Sequence, residues 1–231
     1  ELKFLIEVGQ LAQASGADRF SLADTVGCMT PNKITELVLA VSSEIDLPIH
    51  VHCHNDFGMA TANALSALEA GAQCVDVSVN GLGERCGLPP IAEVVTALTE
   101  IHKVNGDWVL GLLPELSDLV ESFTQIGSNS NRPIVGKNAF THKAGLHVKA
   151  VAIEPKSYEA ISPESLHRKR HFVIDKYTGK SALNNRLIHM GISATSKELD
   201  TILIKIKSHP QKLNWDDKDL ISLTNSMGIK S

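Results

Sequence analysis

Apolar and polar positions along the first hundred residues switch between a helical period and a strand period. Leu5, Val8 and Ala12 repeat at helical spacing, and Ser15-Gly16 closes the helix that they mark over residues 1–16. Residues 18–23 read as a short strand leading into Asp24-Thr25-Val26-Gly27. Thr30-Pro31 supplies an N-cap followed by proline at the first helical position. Ile34, Leu37, Val38, Val41 and Ile45 then form one apolar stripe. Residues 48–54 predict the next strand, 58–70 the next helix and 74–79 a third strand. Ile91, Val94, Val95, Leu98 and Ile101 mark a further helix. Strand and helix recur at roughly 26–27 residues per unit, which predicts parallel strands joined by right-handed crossovers.

The pattern changes after about residue 108. Leu116, Leu119, Val120 and Phe123 predict a helix, and the polar run 127–133 reads as a linker. Residues 135–150 set Gly136, Asn138, His142, Lys143, His147 and Lys149 among small side chains. Helices are expected at about 178–190, 196–207 and 216–227. The expected organisation is therefore an α/β catalytic part over 1–108, followed by a linker and a small α-rich subdomain over 109–231.

Composition narrows the function classes. The 231 residues are 43% hydrophobic and 21% charged, which is ordinary for a soluble globular chain. A formal net charge of −4, with Lys169-Arg170 as the basic cluster, gives no electrostatic footprint for nucleic acid. No apolar run nears the roughly 20 residues needed to span a bilayer. Residues 1–16 lack the basic start and cleavage site of a signal peptide. Cys28, Cys53, Cys74 and Cys86 are scattered without a Cys-x-x-Cys, as expected of reduced thiols in a cytoplasmic protein.

The chemistry gathers where strands are expected to end. His52 and His54 stand at i, i+2 on the second strand, so both imidazoles point to one side, next to Asn55 and Asp56. Such a pair suits a divalent metal, and a lone His-x-His suits a solvated strand end equally well. Two further polar, glycine-containing segments, 24–27 and 80–87, follow the C-terminal ends of the other two strands. Active sites of barrel and doubly wound enzymes collect at that edge, which favours the site over the solvated strand end.

Four segments together resemble the DRE-type, HMGL-like TIM-barrel family of acyl-CoA-dependent C–C bond-forming enzymes. They are Asp24-Thr-Val-Gly27, His52-Cys-His-Asn-Asp56 with Gly58-Met-Ala-Thr-Ala-Asn63, Gly81-Leu-Gly-Glu-Arg85, and Phe140-Thr-His-Lys-Ala-Gly-Leu-His147. The resemblance covers roughly residues 1–190. It implies the C-terminal part of a TIM (β/α)8 barrel followed by a small α-rich subdomain. It also implies a divalent metal ion (Zn, Mn or Mg) on His52 and His54, and Thr25 on the substrate carboxylate. Glu84 and Arg85 match a loop pair, expected to be an ion pair shaping the mouth. His147 matches the catalytic histidine and Tyr158 the tyrosine assisting it, both serving the neighbouring barrel of a homodimer by subdomain exchange. His142 is expected to be a polar neighbour.

The implied reaction is an acyl transfer, a Claisen-type condensation of acetyl-CoA with a 2-oxo acid. Isopropylmalate- and citramalate-forming members carry an asparagine metal ligand where this chain has Leu88. Lysine-pathway members making homocitrate from 2-oxoglutarate have an aliphatic residue there, and their wording around 140–147 is closer. Homocitrate formation is thus the favoured expectation, with isopropylmalate or citramalate formation the alternative. Two departures support a different class, a catalytically incomplete structural or regulatory subunit. Three strands are predicted against the family's eight, and His167 stands where the family pattern has glycine.

Overall fold

The protein is described by a computed structural model of residues 1–143, 150–151 and 153–229. The chain divides into two compact units, Glu1–Asn129 with Pro133–Val135, and Ser130–Arg132 with Gly136–Ser231.

In the first unit β1 (Phe20–Asp24), β2 (Ile49–Cys53) and β3 (Cys74–Val75) form a parallel sheet in the order β1-β2-β3. The connections between them run through α2 (Pro31–Ser42) and α3 (Ala60–Glu69); α1 (Leu2–Ala14) precedes the sheet, and α4 (Ile91–Glu100) and α5 (Leu113–Thr124) follow it. Thr30 caps α2 by accepting from the Lys33 N–H, and Pro31 sits where no intrahelical donor is needed. Ile34, Val38 and Val41 of α2 bury completely against Leu22, Ile49, Val51 and Cys53 of the sheet. Burial of each such aliphatic side chain contributes about 1.5–3 kcal/mol relative to exposure.

Alternation along β2 decides what the other face of the sheet carries. Ile49, Val51 and Cys53 turn to the helix layer, so His50, His52 and His54 all turn the opposite way. The register places Ser21 beside His50 and Ala23 beside His52 on that face.

Three expectations shift. The third strand is shorter than 74–79, because after Asp76 the chain leaves the sheet and winds into a 3₁₀ turn at Val79–Gly81. Helix α1 packs through Gly9 and Leu5 rather than Val8: a Cβ on Gly9 would meet Ile45 and Phe20 at 3.1–3.3 Å, so glycine permits the close approach. In α5, Leu119 and Phe123 are exposed and the buried side is Leu113–Ser117, where Ser117 exchanges hydrogen bonds with the Asn80 side chain.

The second unit packs α6 (Lys180–His189), α7 (Ser196–Lys207) and α8 (Asp217–Ser226) around Leu183, Leu187, Ile202, Ile206 and Leu220. Capping boxes start two of them, Thr195 with Glu198 and Asp216 with Asp219. Two short parallel strands, β4 (Thr141–His142) and β5 (His171–Phe172), lie ahead of these helices. Among the described residues no helix is long and apolar enough to cross a membrane.

Candidate metal centre

The segments following β1, β2 and β3 meet at the C-terminal edge of the sheet. Asp24, buried at the end of β1, accepts from the backbone N–H groups of Cys28 and Met29, both at 3.0 Å. That closes the loop and leaves Thr25 exposed at its start. Thr25 and His54 each stand one residue beyond the paired Asp24 and Cys53. After β2, the Asn55 side chain accepts from the Ala60 N–H at the start of α3, and its own N–H donates to the Gly87 carbonyl of the third loop at 3.0 Å.

Arg85 joins all three loops. Its Nε and Nη2 donate to the two oxygens of Asp56 at 2.8 and 2.9 Å, and Nη2 also reaches the Thr25 carbonyl at 2.8 Å. The guanidinium thus faces Asp56 rather than Glu84, which is exposed beside it, because Asp56 offers a two-oxygen match to the guanidinium fork. Hydrogen bonding from Arg85 holds the Asp56 carboxyl below the usual carboxylate range. Two glycines make room for this closure. A Cβ on Gly27 would lie 2.4 Å from Asp56 Oδ2, and one on Gly87 would lie 1.8 Å from the Gly81 carbonyl oxygen, each at a left-handed φ.

Below this rim, His52 and His54 converge with Nε2 to Nε2 3.3 Å apart. Two nitrogen ligands about 2.1 Å from one cation, at 90–109° to each other, lie roughly 3.0–3.4 Å apart, so the pair has the span of adjacent ligands. His54 is buried and its Nδ1 has no hydrogen-bond partner among the described residues. These residues fit a divalent cation. Cys53, between them in sequence, turns to the core, where burial and then nearby Asp24 push its thiol up to about 12, so it remains protonated and supplies no thiolate. Among the described residues no group of three or more His, Cys, Asp or Glu side chains assembles a fuller shell, and Leu88 offers no donor atom.

Sequence reasoning missed two residues here. His50 shares the histidine face and was legible from the same period of two. Asp76 reaches His52 Nδ1 at 2.6 Å and lies 3.0 Å from His50 Nε2, and the register between β2 and β3 that places it there is not written in local sequence.

In the second unit, Tyr158 is exposed at the end of the turn Pro155–Ser157. His142 Nε2 bonds to Glu159 at 2.9 Å, and Arg170 pairs with the other oxygen of this nearly buried carboxylate at 2.7 Å. His142 is thus the partner of a carboxylate next to Tyr158. His147 lies outside the described residues.

Similarity to known proteins follows the same two units. The family model described as HMGL-like matches residues 1–120, and that described as homocitrate synthase post-HMGL domain-like matches 134–213. A homocitrate synthase of Sulfurisphaera tokodaii is 43% identical over 228 residues, covering 98% of this chain and 49% of that protein. A probable 2-isopropylmalate synthase of Methanopyrus kandleri is 44% identical over 204 residues, covering 88% of this chain and 41% of that protein. The chain spans about half the length of the curated relatives that it matches. Among solved structures, HMG-CoA lyase of Bacillus subtilis superposes with a TM-score of 0.52 at 23% identity, over 57% of this chain and 46% of that one, and so shares the fold. The parallel β1-β2-β3 unit is part of a TIM barrel, its histidine-bearing edge coincides with the matched segment, and the chain belongs to the HMGL-like family.

Proposed function

We propose that this chain is part of a homocitrate synthase, condensing acetyl-CoA with 2-oxoglutarate and water to give homocitrate and CoA. The convergence of His52 and His54 at 3.3 Å on the edge that carries Thr25 is the observation that supports a metal-dependent 2-oxo acid site. The match of residues 134–213 to the post-HMGL domain of homocitrate synthases supports the choice of acid. His52 and His54 would hold the divalent ion, Zn, Mn or Mg, which when bound polarises the keto carbonyl as a Lewis acid.

Thr25 donates its hydroxyl to the substrate carboxylate. Arg85, already engaged by Asp56 and the Thr25 carbonyl, fixes the loop from which Thr25 projects. His147 serves as the base that takes a proton from the acetyl methyl group, and the carbanion so formed attacks C2 of the oxo acid. The carbonyl oxygen there takes the electron pair of the broken π bond and then a proton. Water then cleaves the thioester, releasing CoA. Histidine is the side chain type most often used for such proton transfer. Tyr158 assists His147, and the pair serves the barrel of a second copy in a cytoplasmic homodimer. A second reading, 2-isopropylmalate synthesis, is supported by the Methanopyrus relative. Leu88 in place of the expected asparagine weighs against it.

The test follows CoA release by the protein, in the longest form that its gene encodes, with 2-oxoglutarate, 2-oxoisovalerate and pyruvate in turn. Fastest release with 2-oxoglutarate is expected. Release with 2-oxoisovalerate alone would establish isopropylmalate synthesis, and release with none of the three a structural or regulatory subunit.

A further inference from the structure

Asp76 stands just past β3, and the register that pairs Cys74 with His50 brings it alongside His52. One of its oxygens lies 2.6 Å from His52 Nδ1. The other lies 3.0 Å from His50 Nε2, close, yet without the alignment of a hydrogen bond, so the orienting bond is the one with His52. We propose that Asp76 is the positioning residue of the metal centre, holding His52 as the Nδ1–H tautomer with the lone pair of Nε2 turned toward His54.

The argument is one of donors and acceptors. An ionised carboxylate only accepts, so the facing Nδ1 must carry the proton. A neutral imidazole has one N–H, so Nε2 of His52 is left with its lone pair, 3.3 Å from His54 Nε2. An aspartate carboxyl is ordinarily ionised near neutrality, so Asp76 faces His52 as an acceptor. Carboxylate–histidine pairs of this kind orient metal-binding rings, and losing the carboxylate typically costs about 10–100-fold in metal affinity.

This proposal rests on His52 and His54 being the metal pair, and the experiment separates the two. Mn²⁺ binding to the full chain is followed by EPR, since thiols compete poorly for that ion. The tautomer of His52 is read in the metal-free chain by long-range ¹H–¹⁵N NMR at about pH 8, where imidazoles are neutral. Asp76→Asn is expected to weaken Mn²⁺ binding about 10–100-fold with an unchanged circular dichroism spectrum. Wild-type His52 is expected as the Nδ1–H form. Unchanged affinity in a folded Asp76→Asn chain overturns the proposal, as does an Nε2–H tautomer of His52 in the wild type, a readout that needs no variant to fold. If His52→Ala binds Mn²⁺ like the wild type, the metal reading itself fails.

Discussion

His167 shows how one residue can carry local strain. It ends the turn Pro163–Leu166 at φ 52°, ψ 32°, in the left-handed region where a Cβ crowds the backbone. The glycine that the family resemblance leads one to expect here would meet no such crowding. Replacing His167 with glycine should stabilise the chain by about 0.5–1 kcal/mol, the left-handed penalty less the extra freedom glycine gains when unfolded. Urea denaturation measures this as a raised midpoint at unchanged slope, and an unchanged or lowered midpoint contradicts it. At the same scale, the residues legible in sequence were those whose position follows from near neighbours. His52 and His54 share a face because strands alternate, and Thr25 follows the end of a strand. The partner of Arg85 was not legible: Asp56 lies 29 residues away, and only the closure of two loops brings it near, whereas Glu84 is adjacent in sequence.

At the scale of elements, sequence periodicity located the helices well because caps and apolar stripes are local signals. Thr30-Pro31 and the Thr195–Glu198 box mark helix starts without reference to the rest of the chain. Two of the misjudged details were decided by what an element packs against. Glycine at position 9, rather than Val8, sets the buried side of α1, and Asn80 draws Ser117 rather than Phe123 inward in α5. The turn Pro163–Leu166 yields a prediction in pH. The Ser162 hydroxyl and then Arg170 hold the Glu164 carboxyl down from 4.5 to about 2. A carboxyl whose pKa is lowered by folding contributes stability above its ordinary value and loses that contribution as pH falls through the folded one. The stability difference between wild type and Glu164→Gln should therefore be constant above about pH 5 and shrink between pH 4.5 and about 2. It should be small and reduced by salt, because Glu164 is exposed. A difference that widens on acidification would contradict the assignment.

On the scale of the molecule, three strand ends supply one constellation: Thr25 after β1, His52 and His54 at the end of β2, and Asp76 and Arg85 after β3. A parallel sheet gathers such residues because every strand delivers its following loop to the same edge. The edge was legible from the strand–helix repeat, while the bracing beneath it, Asp76 on His52, depended on register. The account turns on whether this edge holds a metal ion through its two histidines. The most direct test counts Mn²⁺ ions bound by the wild-type chain and by the His52→Ala/His54→Ala double variant, with folding verified by circular dichroism. One ion per wild-type chain, lost in the folded double variant, is the predicted result. Equal binding by the two chains would contradict it.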